Sequence, residues 1–413
     1  MKPESNTGVS SLWTHVLFAA ALVLAVLVIQ SSFSAATLDP ASDDGYYLKY
    51  MQSVHEHGLG VLPKLFDDWN ANRQHWIYPP PSRVGFIAVS ALWAAMFGAS
   101  LTALQYLSVA SFLAGAVATY LFAARHFGQP RALFIGVLWL FSPLLMGLSR
   151  LALTDSFIAL CMSLCAWLFL EIVLEPGSWR RRILFMAVFG FTVLVKELSV
   201  LLIGPFAAFV LVERFVRKEP LNLGVFALVF TLPGLVVAPL FVLAAGDVPK
   251  LLETTRIVLE SPATNDYAIR YGSGPWFRYV VDFMCLSPCT TLLAIAFLGL
   301  LLVRVRNGNY DRRLVFLALI AVCMIFEYSF FTKNLRYTVL LELPIRVFSV
   351  CLVCELCRAK TPSRTWLLAG IVVAFLCWVD WQAFELYWVR YRGYDPVTYL
   401  LLGMRHMIPY PVR

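Results

Sequence analysis

The chain alternates long apolar runs with short polar links. Residues 12–30 form the first run. Further runs follow at 102–124, 132–149, 156–174, 183–195, 198–212, 222–245, 286–303, 314–331, 337–357 and 366–383. A helix rises about 1.5 Å per residue, so about 20 apolar residues cross a bilayer core of about 30 Å. The run from Val84 to Phe97 would cover only about 21 Å. It predicts a juxtamembrane helix that lies on or dips into the interface. Segment 183–213 as one helix would reach about 46 Å, too long for a single crossing without strong tilt. It divides instead at Lys196-Glu197 into two short helices. The pattern predicts an all-α polytopic membrane protein with a bundle of about eleven transmembrane helices.

Loop charge sets the orientation. With 84–97 kept out of the count, the short loops on one side hold Arg125, Arg131, Arg180, Arg181, Arg182, Arg214, Arg217, Lys218, Arg304, Arg306, Arg312, Arg313, Arg358, Lys360 and Arg364. Those on the other side hold almost none. The positive-inside rule puts the first set and the N-terminus in the cytoplasm. Counting 84–97 as a span would invert every later loop. The expectation is a single transmembrane domain over 1–413. It carries large external loops at 31–101 and 246–285 and an external tail at 384–413. Ser34-Ala35-Ala36 offers small residues for signal cleavage, but the run before it is long and only Lys2 precedes it, which reads as an uncleaved anchor.

Composition agrees with this reading. Hydrophobic residues make up 60% of the chain and charged ones 14%, too few charges to cover that apolar surface in water. A cytosolic enzyme, a disordered chain and a disulfide scaffold are excluded. The net charge of +8 is spread between apolar runs, without the concentrated basic patch that nucleic-acid binding needs. The cysteines sit mostly in apolar runs and read as small packing residues, Cys351, Cys354 and Cys357 included; Cys285 and Cys289 lie nearer an external loop. His55, His57 and His75 show no metal-site spacing.

Ionisable residues at membrane depth are costly and often functional. In the predicted topology they gather at the external side: Asp43 and Asp44; Arg150 and Asp155; Lys196 and Glu197; Lys333, Arg336 and Glu342; Asp380 and Glu385. Asp43-Asp44 is equipment for general-base work on a hydroxyl or for holding a divalent ion; its plainer reading is a solvated turn capping a helix that starts near Gly45. Thr154 or Asp155 can likewise cap a helix. Lys333, Arg336 and Glu342 read as interface anchors or one ion-pair network, and Arg346 with Glu327 as paired bundle charges. Pro79-Pro80-Pro81 holds the chain extended and fixes where Arg83 emerges.

Several stretches, in order, resemble the GT-C membrane glycosyltransferases, most closely the protein mannosyltransferase and aminoarabinose transferase superfamily. They are Asp43-Asp44, Tyr78-Pro79-Pro80-Pro81-Ser82-Arg83, Gly98 through Leu104, Arg150 through Asp155, Leu194-Val195-Lys196-Glu197, and Leu335-Arg336-Tyr337 through Pro344. The resemblance is best over 38–200 and thinner to 345. It implies sugar transfer from a polyprenyl-phosphate donor to a hydroxyl of a lipid, glycan or protein acceptor. The site would face outside a bacterial-type cytoplasmic (inner) membrane. It also implies a base at Asp43, with Asp44 and Asp155 in the catalytic set. Arg83, Arg150, Lys196, Glu197, Arg336 and Tyr337 would bind substrate. No cofactor is fixed; a divalent cation is compatible with the acid pair, and the metal question stays open. Two departures stand out: the family pair is often Asp-Glu where this chain has Asp-Asp, and the lysine is often followed by Gly where this chain has Glu197. The alternative from another class is a transporter or flippase of a lipid-linked sugar. It would favour internal repeats, and none is visible.

Overall fold

The computed structural model describes residues 11–31, 42–391 and 395–402. The small-residue stretch 34–36, the start of the stretch of best resemblance at 38–41, and residues 392–394 and 403–413 of the predicted tail lie outside the described residues. All regular structure among the described residues is helical.

In chain order the helices are α1 (Ser11–Ser31), α2 (Asp43–His57), α3 (Leu62–Ala71), α4 (Val84–Phe97), α5 (Leu101–Phe127), α6 (Gln129–Leu140), α7 (Pro143–Ser149), α8 (Asp155–Leu174), α9 (Trp179–Val195), α10 (Ile203–Leu211) and α11 (Leu223–Ala245). Then come α12 (Val248–Thr264), α13 (Asp266–Tyr271), α14 (Arg278–Leu286), α15 (Pro288–Arg306), α16 (Arg312–Tyr328), α17 (Glu342–Leu356) and α18 (Pro362–Phe384). Among the described residues, 7 helices are long and apolar enough to cross a membrane, and α6 with α7 forms one further candidate bent by 56°. Pro143 opens α7, where a prolyl ring is compatible with a first turn but not with continuing α6. Helix α4 has 14 residues, the short apolar element that the hydropathy pattern predicts.

The chain divides into two compact units. One comprises Met1–Phe33, Phe112–Leu148 and Gly274–Arg413; the other Ser34–Ser111 and Ser149–Ser273.

In the first unit a buried ionic network joins α17, α18 and the start of α15. Arg346, 0% exposed, donates from Nε to Glu342 Oε2 at 2.8 Å, from Nη1 to Asp380 Oδ2 at 2.6 Å and from Nη2 to Ser287 Oγ at 3.2 Å. This corrects two sequence expectations: Arg346 pairs with Glu342 and Asp380 rather than with Glu327, and Glu342 belongs to this network rather than to one with Lys333 and Arg336. Glu342 and Arg346 are one helical turn apart, so they share a face of α17.

In the second unit, α4 packs against α2 and α9. Gly85 makes the second contact possible: a Cβ there would lie 2.9 Å from the Val195 backbone nitrogen and 3.0 Å from the Leu194 carbonyl carbon. The start of α4 therefore seats on the end of α9, one residue before Lys196.

Candidate active site

Helix α2 begins at Asp43. Ser42 is its N-cap and accepts a hydrogen bond from the Gly45 amide at 3.2 Å. The cap is thus the serine, and Asp43 and Asp44 occupy the first turn, where the helix dipole favours carboxylates. Both are half-buried.

One turn after Asp43 comes Tyr47, 2% exposed. Its phenol accepts a hydrogen bond from Arg83 Nη1 and donates to Thr154 Oγ1 at 3.4 Å. Burial raises the Tyr47 pKa strongly; Arg83 and Thr154 act against the rise, and the Asp155 and Asp43 carboxylates add to it. The phenol is therefore neutral. The sequence alone gives Tyr47 no role. Its signal was the four-residue spacing from Asp43, which puts both on one face of α2.

Arg83 is placed by the proline run before it. Tyr50 donates to the Pro79 carbonyl at 3.0 Å, and Tyr46 stacks on Tyr78 with ring centroids 4.4 Å apart. The run is thereby fastened to α2. Ser82 donates to Glu197 Oε1, and Arg83 Nε lies 4.0 Å from Glu197 Oε2.

Asp155 opens α8. Thr154 stands at the N-cap position without a side-chain cap bond, its hydroxyl being engaged by Tyr47. Lys196 follows the last residue of α9 in an extended conformation (φ −155°, ψ 116°), and a 3₁₀ turn, Glu197–Leu202, begins after it. The predicted division of this segment at Lys196-Glu197 is present. Lys196 Nζ donates to Asp155 Oδ1 at 2.9 Å.

Asp43, Asp44, Arg83, Arg150, Asp155, Lys196 and Glu197 all belong to the second unit. Arg150 is half-buried in the bend ahead of α8. Arg336 and Tyr337 belong to the first unit, in the 3₁₀ segment Leu335–Leu341, whose first turn is held by Asn334 accepting from the Arg336 amide at 3.1 Å. Among the described residues no group of three or more His, Cys, Asp or Glu is arranged to hold a metal ion.

Comparison with solved structures gives the fold. The chain superposes on ArnT from Cupriavidus metallidurans bound to undecaprenyl phosphate with a TM-score of 0.58 and 16% identity, covering 96% of this chain and 78% of that one. The protein has the GT-C fold. The oligosaccharyltransferase of Archaeoglobus fulgidus, tethered to an acceptor peptide, shares the GT-C fold at a TM-score of 0.62 and 11% identity; 91% of this chain is covered, but it spans only 55% of that one. AglB of the same organism, in complex with an inhibitory peptide and a dolichol-phosphate, matches at a TM-score of 0.59 and 12% identity, covering 92% of this chain and 56% of that one. Residues 84–237 match the family model of dolichyl-phosphate-mannose-protein mannosyltransferase. That stretch of the GT-C fold includes Arg150, Asp155, Lys196 and Glu197. No curated protein matches the sequence.

Proposed function

We propose that this GT-C protein transfers a sugar from a polyprenyl-phosphate donor to an acceptor hydroxyl at the external face of a bacterial-type inner membrane. The observation that carries the reading is the bonded chain of polar groups from four separate stretches of the second unit. Tyr47 links Arg83 to Thr154, Glu197 links Ser82 and Arg83, and Asp155 holds Lys196. Two structures that share the fold, ArnT and AglB, carry undecaprenyl phosphate and a dolichol-phosphate, which supports the donor class.

The chemistry follows from the side chains. The bond between the sugar's anomeric carbon and the phosphate oxygen breaks as the acceptor oxygen bonds to that carbon. The acceptor's proton passes to the Asp43 carboxylate. The leaving group is a phosphate, already a stable anion, so it needs cationic stabilisation rather than a general acid. Arg83 is fixed in place by Tyr47 and Glu197. Lys196 is held by Asp155 and reaches the phosphate without losing that partner, because an ammonium has three donors. Arg336 and Tyr337, in the first unit, are assigned to substrate binding, Asp44 shares the first turn with the base, and Arg150 and Glu197 contact the substrate or its neighbours.

The test is Asp43→Asn in purified full-length protein supplied with polyprenyl-phosphate sugars and cell-envelope lipid extract. Loss of transfer with donor binding intact is expected. Wild-type transfer by the variant would remove Asp43 as base. Accumulation of donor across a liposome membrane without any acceptor would favour the flippase alternative.

A further inference from the structure

Lys333 lies outside the network above, in the short link between α16 and the Leu335–Leu341 turn of the first unit. It is 7% exposed. Its Nζ donates to the Ser329 carbonyl at 2.5 Å and to the Phe331 carbonyl at 3.0 Å. Ser329 is the residue after the last turn of α16, whose C-terminal dipole carries about half a negative charge, and Phe331 lies beyond it in the link. That offsets part of an ammonium and no more. Two N–H groups are used, and a lysine ammonium has a third.

The cation that acts on Lys333 is Arg278, which has acids of its own. Arg278 donates from Nη2 to Asp395 Oδ2 at 3.0 Å, and its Nε lies 3.8 Å from Asp282 Oδ2. Asp282 Oδ1 accepts from the Val397 amide at 3.0 Å, and Asp395 Oδ1 from the Thr398 amide at 2.9 Å. No carboxylate among the described residues forms an ion pair with Lys333. Burial, then the Arg278 guanidinium, lowers the Lys333 pKa. A buried cation facing a second cation, with no acid of its own, is an arrangement that an incoming anion relieves.

We propose that Lys333 is a phosphate-binding residue that donates its third N–H to a phosphate oxygen. A polyprenyl phosphate and free inorganic phosphate share this chemistry; only the choice of the lipid as occupant rests on the function proposed above.

The test uses full-length protein in nanodiscs with ¹⁵N-labelled lysine side chains and undecaprenyl phosphate or inorganic phosphate. Lys333→Met should weaken phosphate binding about tenfold or more, the effect of losing one charge-assisted hydrogen bond. Binding of neutral undecaprenol should not change. Lys333→Arg keeps the charge and should keep the affinity, yet lose the Lys333 share of the lysine ¹⁵N–³¹P dipolar dephasing that wild type shows. This second variant answers the question even where the first fails to fold. Lys333-dependent dephasing with undecaprenyl phosphate identifies the lipid; the same dephasing with inorganic phosphate alone identifies free phosphate. Dephasing identical in wild type and Lys333→Arg, or full affinity in folded Lys333→Met, overturns the proposal. Transfer activity is not read here, so a failure of Asp43 as base leaves this result standing, and the reverse also holds.

Discussion

Lys196 Nζ lies 2.9 Å from Asp155 Oδ1, with the two side chains 6% and 4% exposed. The pair joins the end of α9 to the first residue of α8. Buried ion pairs add little net stability, but removing one partner strands the other. Lys196→Met should therefore cost about 3–5 kcal/mol. The double variant Asp155→Leu, Lys196→Met should recover most of that loss, because no charge remains buried. Chemical unfolding in detergent compares the three proteins. Equal losses in the single and double variants would show that the pair is not the source of the effect.

The seat of α4 on α9 makes a second prediction. At Gly85 the nearest obstacles to a Cβ are backbone atoms of Leu194 and Val195, which cannot rotate aside. Gly85→Ala should destabilise by about 1–3 kcal/mol, the range for overpacking. It should also move Arg83 away from Lys196-Glu197 and weaken phosphate-dependent donor binding. Gly60, with nothing within 4 Å of a Cβ, is the control. A thermal midpoint for Gly85→Ala equal to that of Gly60→Ala would refute the steric argument.

Much of this was visible in the sequence, and the reason is physical. Spans are legible because hydrocarbon thickness sets their length, and the division at Lys196-Glu197 is legible because a charged pair has no place inside an apolar helix. What a side chain touches across the bundle has no such signature. Tyr47 reads as one more interface aromatic until α4 and α8 are packed around it. A pairing of Arg346 with Glu327 overlooks the four-residue step to Glu342, the better local clue. Its second partner, Asp380, depends on which helices become neighbours, and apolar periodicity leaves that undetermined.

The carboxylates on Arg278 give a pH dependence. Burial, and next the Asp395 carboxylate, push the Asp282 pKa up from 3.8 to about 9. The folded chain then binds a proton that the unfolded chain releases above pH 3.8, so stability falls as pH rises from about 4 toward about 9. The residues that this cluster holds, Val397 and Thr398, should be where the loss appears. Amide exchange there, corrected for intrinsic rate, should quicken across that window. Asp282→Asn cannot ionise and should flatten the profile. An unchanged profile in the variant would remove Asp282 as its source.

The Arg346 network allows its members to be ranked. One guanidinium faces two carboxylates, and all three side chains are 0–1% exposed. Arg346→Met would leave both acids buried without a cation and should cost the most, above the about 3–5 kcal/mol of a single broken buried pair. Glu342→Gln comes next, since Glu342 Oε2 receives both Nε at 2.8 Å and Nη2 at 2.7 Å. Asp380→Asn should cost least. Its Oδ2 takes the Nη1 bond at 2.6 Å, a carboxamide oxygen can do the same, and its Oδ1 is buried with no hydrogen-bond partner. Neutralising that acid also removes the excess negative charge of the triad. Unfolding midpoints of the three variants in one detergent decide the order. Were Asp380→Asn as damaging as Arg346→Met, the charge on Asp380 would be essential to the fold, and the view of it as the surplus acid would be wrong.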